Sequence, residues 1–121
     1  MVLVDTSVWV GHLRAGDARL VAKLTKAEVA CHPLVIGELA CGHLRQRQLI
    51  LRLLRELPRV TVADDDEVLD FIEAERLMGR GLGIVDVQLL AAARLSRMPL
   101  WTTDRRLAVA AADLGLAYRF E

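Results

Sequence analysis

Short apolar runs alternate with longer helical patterns along the whole chain, and this alternation limits the possible folds more than any other feature. Residues 2–4 form such a run, which ends at Asp5, and Thr6 and Ser7 are suited to start a helix directly after it. Strands that are separated by helices favour a mostly parallel central sheet flanked by helices. The sequence therefore predicts an α/β fold, and the length of 121 residues fits one domain over residues 1–121.

Capping residues and prolines give approximate bounds for the other elements. Asp17 can cap a helix, and Pro33 suits a first helical turn because its missing N–H is not needed there. Pro58 ends the long helix that precedes it. The predicted strands cover residues 2–4, 28–32, 59–63 and 99–103, with an edge strand at 116–120, and the predicted helices cover 6–13, 17–26, 44–57, 64–78 and 84–97, with two more beginning at Pro33 and Asp104.

Composition excludes several classes of protein. A hydrophobic content of 54% allows a chain of this size to bury a core without disulfides. Cys31 and Cys41 are too few for a secreted disulfide scaffold and favour a reducing, cytoplasmic compartment. The N-terminus lacks the features of a signal peptide, and no apolar run reaches the ~18 residues of a membrane span. The net charge of zero gives no global attraction to nucleic acid.

Two aspartates follow predicted strands. Asp5 lies at the end of the first strand and Asp104 at the end of the fourth. Ligand sites of open α/β sheets lie beyond the carboxyl ends of the strands, so both side chains are candidates for such a site. The alternative for each is a simple helix N-cap, which is common at strand-to-helix turns.

Two further acids lie on apolar helices. Asp86 shares a predicted helix face with Leu89, Leu90 and Ala93, and Glu38 lies on the almost wholly apolar helix that begins at Pro33. An acid on an apolar face is costly unless it is paired or binds a metal. The alternatives are a first-turn aspartate favoured by the helix dipole and an exposed glutamate on an otherwise buried helix.

Four such carboxylates suit one kind of chemistry. Mg²⁺ and Mn²⁺ are hard cations that take oxygen ligands, and a metal held by carboxylates can activate water and neutralise a phosphodiester. The predicted metal-binding and catalytic residues are Asp5, Glu38, Asp86 and Asp104.

The order of these motifs resembles the PIN-domain ribonucleases, and among them the VapC-type toxins of bacterial toxin–antitoxin pairs. Residues 2–9, 32–39, 83–93 and 100–107 carry the resemblance, which extends over essentially the whole chain. The resemblance implies a parallel sheet, a Mg²⁺ or Mn²⁺ cofactor and cleavage of single-stranded RNA. It also implies a homodimer and a cognate antitoxin protein whose tail blocks the active site.

The resemblance gives auxiliary roles to other side chains. By the same match Ser7 and Thr102 position water, phosphate or the acids, with ordinary capping as the alternative. The antitoxin is expected near Trp9 and Leu13, where Trp9 is either an interface anchor or a core residue.

Two other functions were weighed against the nuclease. A receiver domain needs a lysine after a late strand, and Lys23 and Lys26 both come too early. The second alternative is a non-catalytic PIN-fold module that only binds RNA or protein. A metal-dependent nuclease assay separates that module from an enzyme.

Overall fold

The centre of the molecule is a small parallel sheet. Within residues 1–120, which the computed structural model describes, three strands form it: β1 (Val2–Val4), β2 (Val29–Ala30) and β3 (Leu100–Trp101). Their order is β2-β1-β3, with Leu3 of β1 opposite Ala30 on one side and Leu100 on the other. All the strand residues are buried, as expected for parallel strands covered on both faces.

Seven helices surround this sheet in the described part of the chain. Their starts follow the predicted capping chemistry: Asp17 accepts hydrogen bonds from the backbone of Arg19 and Leu20, and Asp64 and Glu67 form a capping box. The helices are α1 (Thr6–Ala15), α2 (Ala18–Thr25), α3 (Pro33–Ala40), α4 (Arg47–Glu56), α5 (Asp65–Glu75), α6 (Ile84–Ser96) and α7 (Arg105–Asp113). No helix within residues 1–120 is both long and apolar enough to cross a bilayer.

The start predicted for the long fourth helix is wrong by three residues. The helix begins at Arg47, not at residue 44. The guanidinium of Arg47 donates to the carbonyl oxygens of Ala40 and Gly42, at 2.6 and 3.1 Å, and so ties the end of α3 to the start of α4. Gln46 adopts a left-handed conformation with φ of 53°, which ends the turn between the two helices.

Two predicted strands are reduced to single bridges. Residue 59 pairs only with Cys31, because the Thr61 N–H donates to the Ser96 hydroxyl at 2.8 Å and the chain leaves the sheet there. The predicted edge strand at 116–120 keeps one bridge, between Ala117 and Leu100. The following residues turn instead to an aromatic cluster of Trp101, Tyr118 and Phe120, with ring centroids 4.9–5.4 Å apart.

The core is one hydrophobic cluster formed by the sheet and all the surrounding helices, and α6 contributes the largest share of any helix. Leu89 and Leu90 of α6 are fully buried, as is Ala92, so this helix is apolar on nearly every side. Such a helix belongs inside a domain. Its first turn, which carries Asp86, ends up at the same side of the molecule as the ends of β1 and β3.

Candidate active site

The candidate site begins where β1 and β3 end. Because the two strands are parallel neighbours, their carboxyl ends lie at one edge of the sheet. The Asp5 N–H donates to the Trp101 carbonyl at 2.9 Å, so Asp5 extends the ladder by one bond. Both predicted strand-end acids, Asp5 and Asp104, therefore leave the sheet at this edge.

Asp5 is held by two hydroxyl groups. Its side chain is buried, and its Oδ2 accepts hydrogen bonds of 2.7 Å from Ser7 and from Thr102. Backbone N–H groups of Thr103 and Asp104 donate in turn to the Ser7 and Thr102 hydroxyl oxygens, both at 3.0 Å. Through these bonds both hydroxyl oxygens are held beside the Asp5 carboxylate. Ser7 and Thr102 thus both donate hydrogen bonds to the Asp5 carboxylate, and their role in a functional site stays a prediction.

Glu38 reaches the site from α3. The Thr6 hydroxyl, on the residue after Asp5, donates to Glu38 Oε1 at 2.6 Å. This bond joins the start of α1 to α3. Glu38 itself is exposed, as the alternative reading of the sequence proposed, but it is turned toward the edge where β1 ends.

Asp86 lies in the first turn of α6. Its Oδ2 accepts the Gly83 N–H at 3.0 Å, which caps the helix. Burial raises the pKa of the Asp86 carboxyl, and the negative charges of Asp104, Asp5 and Glu38 raise it further, while the Gly83 bond opposes them. Asp86 therefore lies within electrostatic range of the other three acids, although the four come from four separate segments.

Each of the four carboxylates is anchored through one oxygen only. Asp104 caps α7 by accepting the Leu107 N–H through Oδ1 at 3.0 Å. Within residues 1–120, no hydrogen bond uses the second oxygen of Asp5, Glu38, Asp86 or Asp104, and no basic side chain forms an ion pair with any of them. Capping and ligation are therefore compatible here, because a cap occupies one oxygen and leaves the other for a ligand.

The donor set fits a hard cation that keeps part of its water shell. In residues 1–120, no three carboxylate, imidazole or thiol groups are close enough together to hold one ion directly. Mg²⁺ commonly binds through one or two carboxylates and retains several waters, so the remaining acids can act through those waters. An excess of negative charge without a protein cation favours occupancy by a dication.

Sequence reasoning missed two partners of these acids. The Thr6 hydroxyl donates to Glu38 and the Gly83 N–H donates to Asp86, while the Thr103 N–H supports Ser7. Thr6 follows Asp5 in the chain, but only the packing of α1 against α3 brings it to a glutamate 32 residues away. No pattern in the sequence indicates that contact.

Comparison with known proteins gives the class to which this fold and site belong. The family profile described as "PIN domain" matches residues 2–113. The chain belongs to the PIN-domain family.

A relative is similar over almost the whole chain. It is Ribonuclease VapC32 of Mycobacterium tuberculosis, found in the strains CDC 1551/Oshkosh and H37Rv, and it is 52% identical over 118 residues. The match covers 97% of this chain and 95% of the relative.

Solved structures show the same fold at low identity. FitAcB from Neisseria gonorrhoeae has a TM-score of 0.65 at 20% identity, covering 93% of this chain and 94% of the other. PAE2754 from Pyrobaculum aerophilum has a TM-score of 0.61 at 22% identity, covering 90% of this chain and 78% of the other. Both therefore share the overall fold of this chain.

Proposed function

We propose that the protein is a metal-dependent endoribonuclease that acts as the toxin of a toxin–antitoxin pair. One observation carries this proposal: four acids from separate segments converge at the carboxyl edge of the sheet, each with one oxygen unused and with no basic partner in residues 1–120. The relative at 52% identity is named a ribonuclease, which supports RNA as the substrate.

Asp5, Glu38, Asp86 and Asp104 would hold Mg²⁺ or Mn²⁺, at most two of them directly and the others through its bound waters. The metal would neutralise phosphate charge and lower the pKa of water, so that water attacks the phosphodiester. The protein's own contribution is to keep the acids oriented. Ser7 and Thr102 hold Asp5 through Oδ2 and leave its Oδ1 for ligation.

The catalytic proposal is tested with a labelled single-stranded RNA. The wild type should cleave it with Mg²⁺ or Mn²⁺, and EDTA should stop cleavage. Asp5→Asn should lower kcat/KM by about 100-fold or more, since even second-shell changes around metals cost about 10- to 100-fold. Asp70→Asn, which changes an exposed acid on α5, is the matched control and should keep full activity.

Two outcomes would contradict the catalytic proposal. Undiminished cleavage in EDTA would exclude a metal-dependent reaction. Full activity of a folded Asp5→Asn variant would exclude the proposed site. RNA binding without cleavage under all metal conditions would identify the non-catalytic binding module instead.

We also propose that an antitoxin segment binds in a groove beside α1. A pocket of about 380 Å³ lies over Trp9, Leu13, Ile50 and Leu53, and an adjoining one of about 500 Å³ continues from Leu13 to Glu38. Leu13 lines both pockets, so the two lie side by side, and an extended segment across them would run from an apolar surface to Glu38. A basic side chain at the end of that segment would meet unpaired negative charge at Glu38.

The sequence left two roles open for Trp9, an interface anchor and a core residue. Trp9 is only 5% exposed, so it is a core residue that forms the floor of the groove and not an anchor that enters a partner. Leu13 and Leu53 are 38% and 47% exposed and form the contact surface. Removal of such apolar side chains from water favours association with a partner.

The partner proposal is tested by co-purification with the product of the adjacent reading frame. That product should bind and inhibit the wild type. Leu53→Asp should weaken binding by about 10-fold or more, because a charge is placed in an apolar contact, while RNA cleavage stays unchanged. Val62→Asp alters a comparably exposed side chain, 47% exposed, outside the groove and should bind normally. A product that neither binds nor inhibits would exclude the toxin role and leave the nuclease.

We propose in addition that the protein is a homodimer and acts in the cytoplasm. Leu69, Met78 and Ile84 are 60%, 50% and 61% exposed on α5, the next loop and the start of α6, and a second copy would cover them. Cys31 and Cys41 are free thiols, which suits a reducing compartment. Light scattering at micromolar concentration should give twice the mass of 13.4 kDa, and a monomer would contradict the dimer.

A further inference from the structure

A cluster of arginines adjoins the acidic site. Arg80, Arg105 and Arg106, together with Val109, line an open pocket of about 380 Å³. Two of them, Arg105 and Arg106, directly follow Asp104 in the first turn of α7. Arg80 lies three residues before Gly83, and the N–H of Gly83 donates a hydrogen bond to Asp86. The pocket is thus built from the two segments that carry Asp86 and Asp104.

The position of Arg105 and Arg106 is unfavourable for the helix itself. The N-terminus of a helix carries partial positive charge, and acids are favoured there. The first turn of α7 has no acidic residue, and in residues 1–120 neither arginine forms an ion pair. Helix stability does not account for these two charges, whereas a bound anion would.

The loop before α6 is shaped around Arg106. Gly81 has a φ of 76°, and a Cβ at this residue would lie 2.9 Å from Nη1 of Arg106. A side chain at residue 81 would therefore displace the guanidinium. Arg80 is fixed in a different way, because its Nη2 donates to Asp113 Oδ2 at 2.7 Å. Arg80 is therefore held by an ion pair with Asp113, whereas Arg105 and Arg106 have no ion-pair partner in residues 1–120.

We propose that Arg80, Arg105 and Arg106 form a phosphate-binding subsite for the RNA strand, next to the phosphate that is cleaved. This inference rests on the proposed nuclease function and deepens it. The acidic centre repels an RNA backbone unless metal is bound, and a neighbouring basic pocket offsets that repulsion. Guanidinium groups suit this role because their planar forks match phosphate oxygens. The subsite recognises the backbone and not the base, so its effect is independent of RNA sequence.

The first test measures RNA binding as a function of salt. A fluorescent single-stranded RNA is titrated with the full-length protein in EDTA, at KCl concentrations from 50 to 200 mM. Arg105→Gln should weaken binding roughly 5-fold at the lowest salt and reduce the slope of log K against log[KCl] by about 0.7, the value for one phosphate contact on a single strand. Arg97→Gln is the control, since Arg97 is exposed at the opposite end of α6 from Asp86.

The second test couples one arginine to one phosphate. Cleavage is measured on a series of RNAs that each carry a single uncharged methylphosphonate. For the wild type, one linkage beside the cleaved one should raise KM several-fold. In Arg105→Gln the same methylphosphonate should not raise KM any further, because the phosphate charge that it removes no longer has an arginine partner.

A structural role for Arg105 would make the Arg105→Gln variant melt below the wild type. The subsite proposal instead expects this variant to melt at the wild-type temperature or above, because a charge unfavourable to the helix dipole is removed. Unchanged salt slope, unchanged KM and additive methylphosphonate effects in Arg105→Gln and Arg106→Gln would overturn the subsite. If the wild type cleaves no RNA with Mg²⁺ or Mn²⁺, the nuclease function fails, whereas the salt slopes still decide on phosphate binding.

Discussion

Asp86 shows how one side chain can serve the fold and the site together. It caps α6 through Oδ2, yet the cap does not offset the cost of its charge: burial and three neighbouring acids raise its pKa. A raised pKa of an acid means that ionisation costs more in the folded than in the unfolded state. At neutral pH the Asp86 charge therefore lowers the free energy of unfolding.

Asp86→Asn should consequently stabilise the metal-free protein at neutral pH. The asparagine oxygen can still accept the Gly83 N–H, while the repulsion disappears. Because Asp86 is partly exposed, solvent reduces the gain to less than about 1 kcal/mol, or about 1–3 °C in Tm. The gain should vanish as the pH falls through the Asp86 pKa, where the wild-type carboxyl is itself protonated. A variant that melts lower than the wild type in EDTA would make Asp86 a plain capping residue.

The sequence allowed the four acids to be predicted, because each of them has an unusual local position. Asp5 and Asp104 follow strands, and Glu38 and Asp86 lie on apolar helices. Their anchoring partners could not be predicted in the same way, since Thr6 meets Glu38 only through helix packing. How closely the acids approach one another also depends on side-chain conformation, which no spacing encodes. Their assignment as metal ligands stays a prediction.

At the scale of elements, α3 depends on a buried histidine. His32 is 1% exposed, and its Nδ1 accepts the Leu34 N–H at 3.0 Å, so it caps the helix that carries Glu38. An Nδ1 that accepts a hydrogen bond places the proton on Nε2, which is buried without a partner in residues 1–120. Protonation would put a hydrogen on Nδ1 as well, opposite the Leu34 N–H, and break the cap.

Stability should therefore fall as the pH drops below about 6.5, the ordinary pKa of histidine. Burial lowers the pKa of His32, so the unfolded chain takes up a proton before the folded protein does. The contribution of neutral His32 to stability is fully present above the pKa of this histidine in the unfolded chain. It is lost as the pH falls toward the pKa of His32 in the folded protein. His32→Asn keeps a capping oxygen but does not titrate, so its urea midpoint should change less between pH 7 and about pH 5.5. His43→Asn, at an exposed histidine, should follow the wild type.

The order of elements followed from the alternation of strands and helices, and capping residues gave several boundaries. The Asp17 cap was confirmed, as was the start of α3 at Pro33. The strands predicted at 59–63 and 116–120 are reduced to single bridges, because apolar residues alone do not decide whether a segment stays hydrogen-bonded in the sheet. At residue 61 one backbone N–H finds the Ser96 hydroxyl instead, and that contact depends on tertiary structure.

Over the whole molecule, equal numbers of acidic and basic residues conceal an uneven distribution. The chain has 16 of each, yet four acids gather at one edge without basic partners in residues 1–120. Their repulsion is present in the folded state and largely relieved in the unfolded chain, where the segments separate. A cation that binds only the folded protein should therefore act on the stability of the entire domain.

Mn²⁺ should raise the Tm of the wild type. At a concentration 100 times its Kd, a ligand adds about 2.7 kcal/mol to the free energy of unfolding, which corresponds to about 8–15 °C for a domain of this size. Asp86→Asn should start from a higher Tm in EDTA and gain less from Mn²⁺, because one ligand charge is lost. Asp70→Asn, outside the site, should show the full wild-type gain. Thermal melts of the three proteins with Mn²⁺ and with EDTA test this prediction. A full Mn²⁺ shift in Asp86→Asn would show that Asp86 is not a metal ligand. A wild type without any shift would contradict the metal site itself.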